Sequence, residues 1–228
     1  MPEIIQYHLP PTTLIPNSPL PLLHYKNFFP PTTSPGPIFD LHESNSWTIN
    51  WIYRYGPSQP SHYHSLTHEC MTVLSGRATI RFGVADLSPD LDANTWGKAG
   101  VDFEAGGVEV QAEKGDVFIV PAGVAHKTFN TKPRAEFALL TPGRGKGVEA
   151  RDRRGAVEGV GLEGFTMMGA YPVGSVEWDF VEGEKGREER ERSWGVGRPG
   201  RDPVLGEEGR GICGTWRREG QGEGKGKL

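Results

Sequence analysis

Cysteine is scarce: Cys70 and Cys213 are the only two in 228 residues, and they stand far apart in unlike surroundings. A disulfide is therefore not expected, and a reducing, cytoplasmic compartment is. Long apolar runs are missing too. No segment approaches 18 consecutive apolar residues, so no membrane-spanning helix is expected, and no basic stretch followed by an apolar run marks a signal peptide. Neither sign of charge dominates, with 25 Lys and Arg against 29 Asp and Glu for a net charge of −4, which argues against a nucleic-acid or membrane-surface partner. Apolar residues make up only 36%, whereas Gly (32) and Pro (19) are frequent, the pattern of one modest core with much irregular chain.

What is present is concentrated in two stretches. The first, GPSQPSHYHSLTHECMTVLSG from Gly56 to Gly76, holds His62, His64 and Glu69 within eight residues. Imidazole nitrogen and carboxylate oxygen are ligands that iron, manganese, nickel, copper and zinc share. Two histidines at i and i+2 point the same way in extended chain, although such a pair also occurs as plain surface histidines on a strand. His68, adjacent to Glu69, faces the opposite side on a strand and is expected to be a non-ligand. The second stretch, GDVFIVPAGVAHKTFN from Gly115 to Asn130, reads as a turn glycine, a short apolar strand, a Pro-Ala-Gly turn and a returning strand that carries His126.

Together the two stretches resemble the signature of the cupin superfamily. Gly56, His62, His64, Glu69 and Gly76 stand at its first spacing, and Gly115, Pro121, Gly123, His126 and Asn130 at its second. The resemblance implies an all-β fold, the double-stranded β-helix or jelly-roll barrel. It also implies one divalent metal (Fe, Mn, Ni, Cu or Zn) held by His62, His64, Glu69 and His126. Three nitrogens and one oxygen leave open positions on a five- or six-coordinate ion, as a catalytic site requires. The motifs do not repeat, so a monocupin is expected. A narrower likeness, to the YjlB-like cupins of bacteria and fungi, rests on several further segments: Leu14-Ile15-Pro16-Asn17, Pro21-Leu22-Leu23, the HYHSLTHE core, PAGVAHK, Gly169–Pro172 (GAYP), Asp202-Pro203-Val204 and Trp216. It implies that part of the C-terminal tail belongs to the folded unit.

The rest of the chain divides into three parts. Residues 1–46 are a proline-rich arm with a short helix over Ile38–Ser44; its apolar residues predict that it covers a sheet edge, its own or that of a second copy in a homodimer. Residues 47–180 are the barrel, with insertions near 84–101 and 142–164. WTINWIYRY (Trp47–Tyr55) alternates as one half-buried strand with a single aromatic face, its Trp51 and Tyr53 being core residues or pocket walls. His68–Leu74 and Arg77–Phe82 read as a hairpin closed at Ser75-Gly76. Residues 181–228 are a low-complexity tail, for the most part solvated.

These readings converge on a metal-binding protein that takes a small-molecule substrate. The leading expectation is a dioxygenase-like oxidoreductase in which Glu69 also serves as a catalytic base. A metal-dependent isomerase or lyase of a sugar or small acid is the alternative, as is a non-enzymatic binding or storage protein.

Overall fold

The structure is a computed structural model and describes residues 2–183 and 187–216; the last part of the expected tail, 217–228, lies outside the described residues. In chain order the elements are β1 (Glu3–Tyr7), β2 (Leu22–Lys26), α1 (Pro35–Ser44), β3 (Trp47–Arg54), β4 (Glu69–Ser75), β5 (Arg77–Phe82), α2 (Leu91–Trp96), β6 (Val108–Glu113), β7 (Val117–Val120), β8 (His126–Lys132), β9 (Ala138–Leu139), α3 (Arg153–Glu158), β10 (Thr166–Pro172), α4 (Arg187–Gly195) and α5 (Ile212–Thr215).

Two antiparallel sheets face each other. One has seven strands in the order β1-β2-β7-β4-β10-β3-β9, and the other three, β6-β5-β8. Alternation along each strand sends one set of side chains between the sheets and the other set outward. On β4, Met71 and Val73 join Ile80 and Phe82 of β5 and Val110 of β6 in the barrel interior. Cys70 and Leu74 point the other way, into a second core roofed by Ile38 and Phe39 of α1, Val157 of α3, and Val204, Ile212 and Trp216.

Two local readings of the sequence are corrected by this topology. β4 and β5 do not form a hairpin. β4 pairs with β7 and β10, whereas β5 pairs with β6 and β8. Gly76, at φ 71°, turns the chain from one sheet into the other. A Cβ there would lie 2.6 Å from the carbonyl oxygens of Gly164 and Lys132, so only glycine fits this corner. Nor does β3 present one continuous face. Its register against β10 steps from Gly169↔Trp51 to Ala170↔Ile49, leaving Asn50 as the extra residue of a bulge. Trp47 and Ile49 therefore join Ile52 in the outer core, while Trp51 and Tyr55 fill the interior.

The arm extends the large sheet within its own subunit, β2 pairing with β7 and β1 with β2. Beyond the barrel, Asp202 is fully buried and gathers the C-terminal segment. Its carboxylate accepts hydrogen bonds from the Tyr25 hydroxyl and from the backbone N–H groups of Val204, Leu205 and Ile212. Trp216, 1% exposed, donates from Nε1 to the Pro21 carbonyl at 2.8 Å. A segment of low-complexity composition is thus tied into the outer core through its few apolar and aspartate residues. No helix among the described residues is long and apolar enough to cross a membrane.

Candidate metal centre

The barrel brings His62, His64, Glu69 and His126 together. His62 and His126 form an antiparallel bridge, each backbone N–H donating to the other's carbonyl, at 3.2 and 2.8 Å. This bridge joins the first histidine stretch to the start of β8. His64 follows two residues on, and Glu69 opens β4 on its interior face. The three imidazoles each offer a nitrogen, all within 4.8 Å of one another, and all three residues are buried. Glu69 Oε1 lies 3.3 Å from His64 Nε2, and Oε2 lies 3.4 Å from His126 Nε2.

The hydrogen bonds fix which nitrogen faces inward. The Nδ1 atoms of His62, His64 and His126 meet the backbone carbonyls of Pro60, Asp179 and Val124. A carbonyl only accepts, so each Nδ1 carries the proton and each neutral ring turns a bare Nε2 lone pair toward the centre. Glu69 adds two more acceptors. The Tyr171 hydroxyl donates to Oε1 at 2.5 Å, and Trp51 Nε1 donates to the Tyr171 oxygen at 3.2 Å. Oε2 is buried without any hydrogen bond. Lone pairs crowding one point in a desolvated pocket repel unless a cation joins them. This donor set fits a metal ion.

Electrostatics without a metal give the same picture from the other side. Burial holds His62 well below the ordinary imidazole value, and the neighbouring His126 and His64 push it further down. Burial likewise takes His126 down to about 4. Burial opposes charge on His64 as well, but Glu69 beside it outweighs that and raises its pKa. Burial alone would raise Glu69; the charge and hydrogen bond of His64 hold it down at about 2. Without an ion, Glu69 thus tips His64 alone toward its charged form, and a divalent ion bound there would favour the neutral form of all three rings.

The expected decoy is elsewhere. His68 points outward against Trp216, with ring centroids 4.8 Å apart. Its Nδ1 accepts from the Ala122 N–H at 3.0 Å, and its Nε2 faces the Gly197 carbonyl at 3.2 Å.

A cavity of about 130 Å³ opens above the four residues, walled by Trp51, Tyr53 and Tyr55 of the β3 stretch together with Phe137, Tyr171, Trp178 and Phe180. Trp51 is both core residue and wall. Its ring lies flat on Gly169, where a Cβ would sit 2.1 Å away. Sequence reasoning did not identify the strap that completes the cavity. Phe180 stacks on His62 at 3.9 Å, and the Asp179 carboxylate accepts from the Ser65 N–H and hydroxyl at 2.7 and 2.5 Å. Nothing in the local pattern marks residues 177–181. Tyr171 had a signal, the GAYP segment, but no stated role. A second support lies behind the site: Lys127, next to His126, pairs with Asp86 at 3.0 Å, and Asp86 accepts from the Ser61 N–H just before His62.

Residues 50–147, a span that contains His62, His64, Glu69 and His126, match the family model described as Cupin. Among curated proteins, the chain is 27% identical over 208 residues to the uncharacterized protein YjlB of Bacillus subtilis (strain 168), covering 90% of this chain and 92% of that one. Among solved structures, it is similar to Lactobacillus farciminis oxalate decarboxylase in a formate complex (TM-score 0.30, 12% identity, 57% of this chain). It also resembles RmlC from Streptococcus suis in complex with dTDP-D-xylose (TM-score 0.29, 12% identity, 75% of this chain and 70% of that one). The aligned part spans 25% of the decarboxylase chain.

Proposed function

We propose that this cupin is a metal-dependent oxidoreductase of the dioxygenase kind, with His62, His64, His126 and Glu69 as the ligands of one divalent ion. The observation that carries the reading is the buried cluster of three imidazoles, each with Nδ1 on a backbone carbonyl, beside the Glu69 carboxylate, whose Oε2 has no hydrogen-bond partner. With a redox-active ion such as iron or copper, the site supplies one-electron chemistry and Lewis acidity toward a substrate's oxygens.

The chain's own residues do the rest. The Pro60, Asp179 and Val124 carbonyls keep the three imidazoles in one tautomer. Tyr171 holds Glu69 Oε1, leaving Oε2 for the ion and placing a hydroxyl proton beside the one carboxylate of the cavity. Glu69 Oε2, on release from the ion, would be the carboxylate oxygen that takes a substrate proton and returns it. The aromatic walls exclude water from the reacting centre.

An isomerase or lyase would need a further acid–base side chain facing the substrate. Among the described residues, the remaining lining consists of aromatic side chains and Gln59; its acid–base groups are the Tyr53, Tyr55 and Tyr171 hydroxyls, and burial raises the pKa of all three above the ordinary phenol value, which favours chemistry done at the metal. Metal analysis of natively purified protein tests the reading. Iron or copper near one equivalent is expected; one equivalent of zinc transfers the protein to Lewis-acid catalysis, and a metal-free protein overturns the proposal.

A further inference from the structure

The shape and polarity of the cavity narrow what it accepts. It holds about 130 Å³. An apolar cavity of about 150 Å³ is known to accommodate benzene, so the room is that of a single ring. Its walls are rings in mutual contact: Trp51 and Tyr53 at 5.0 Å, Tyr53 stacked on Phe137 at 5.1 Å, and Tyr171 parallel to Trp178 at 6.2 Å. Phe137 and Phe180, both half-exposed, mark the open side.

Just as informative is the charge. No Lys or Arg among the described residues lines the cavity. Lys146 comes near, with its ammonium 3.4 Å from the Trp178 ring centre. It is spent on the Trp178 carbonyl and the Glu177 carboxylate rather than on the interior. A phosphate or a second carboxylate held against the walls, away from the ion, would lose its water without gaining a counter-charge. Recognition is therefore left to ring contacts and to the metal. With one Glu69 oxygen held by Tyr171, four protein atoms face the ion. A six-coordinate ion then keeps two positions, the number a bidentate ligand fills.

Resting on the metal reading above, we propose that the substrate is a planar compound about one ring in size, which offers two adjacent oxygens to the ion and carries neither phosphate nor a second carboxylate. Catechols and enolised vicinal or 1,3-dicarbonyl compounds have this chemistry. Nucleotide sugars, sugar phosphates and dicarboxylates do not.

Cobalt(II) makes the two readings separable, because its visible bands report ligation without turnover. The full-length protein loaded with one equivalent of Co²⁺ is titrated under argon with catechol, malonate and glucose 6-phosphate. Band shifts and tryptophan fluorescence are followed together. Catechol is expected to shift the bands and to bind at least about tenfold more tightly than either anion. Phe137→Ala, at an exposed wall position, is expected to weaken catechol about tenfold while leaving the cobalt bands of the ligand-free protein unchanged. Cobalt bands with equal or tighter binding of malonate or the sugar phosphate overturn the ligand class alone. So does catechol binding that is indifferent to Phe137→Ala. Absence of any cobalt bands in the wild-type protein overturns the metal reading and this one with it.

Discussion

Buried histidines lie on both sides of the seven-stranded sheet, and the two sets are alike in burial but opposite in wiring. Outside, His42 of α1 is completely buried, with Nδ1 donating to the Pro203 carbonyl at 3.2 Å and Nε2 facing the Thr72 hydroxyl at 3.0 Å. His68 is likewise held at both ring nitrogens, by Ala122 and Gly197. Inside, His62, His64 and His126 each have one nitrogen satisfied by a backbone carbonyl and the other turned toward its neighbours and Glu69. Burial of a histidine therefore says little about function. Among these five, what sets the ligand candidates apart is that the second nitrogen faces other acceptors instead of a partner of opposite polarity; His24, also buried, has its Nε2 3.2 Å from the Asp116 carboxylate.

The contrast is sharpest in variants. His62→Ala, His64→Ala, His126→Ala and Glu69→Gln should each weaken metal binding ~100-fold or more, since even residues that only orient ligands are worth 10–100-fold. Emission spectrometry on the purified variants checks this; full occupancy in any two of them would sink the ligand set. The outer face should respond in stability instead. Trp216→Ala empties a site that is 1% exposed, at a cost of ~3–5 kcal/mol in urea denaturation, with the metal still bound by the folded fraction. Equal loss of metal and stability would mean that the two faces are not separable.

A smaller effect is the share that His42, on the outer face, contributes to the pH dependence of stability. Burial lowers His42 from 6.5 to about 4, the hydrogen bond to Pro203 only partly opposing it. The unfolded chain therefore binds a proton before the folded one does as pH falls, so the contribution is complete above pH 6.5 and is lost between pH 6.5 and 4. At 1.36 kcal/mol per unit, the loss is ~3 kcal/mol. His42→Gln should flatten that part of the stability profile; an unchanged slope would assign it to other groups. Least of all, His68→Ala should leave metal occupancy untouched and cost ~1–3 kcal/mol, because it strands the buried Ala122 N–H.

Much of the site could be read from the chain because its geometry is local. The two-residue period of extended backbone puts His62 and His64 together and separates Glu69 from His68, and no tertiary information is needed for either. The missed features depend on partners distant in sequence. The bulge at Asn50 exists only in register with β10. The corner at Gly76 is imposed by Gly164 and Lys132, where an isolated reading sees an ordinary hairpin. Asp179 and Phe180 act on His62, His64 and Ser65, more than 100 positions earlier, from a segment with no periodicity of its own. Tyr25 and Asp202, 177 residues apart, make the same point for the tail.

The strand order carries a consequence for how this protein is made. β3 and β4 follow each other along the chain, yet β10 lies between them in the sheet. Until Thr166–Pro172 has left the ribosome, β4 is paired on one side by β7 and β3 by the two-residue β9, and each presents on its other side a row of unpaired backbone groups to other nascent chains. The same late segment brings Tyr171, so the Glu69 carboxylate lacks its hydrogen-bond donor over that interval. Closure by a strand about 100 residues downstream is slow by the logic of loop entropy and contact order. Any translational pause before Thr166 would prolong the interval in which β-pairing between molecules competes with folding.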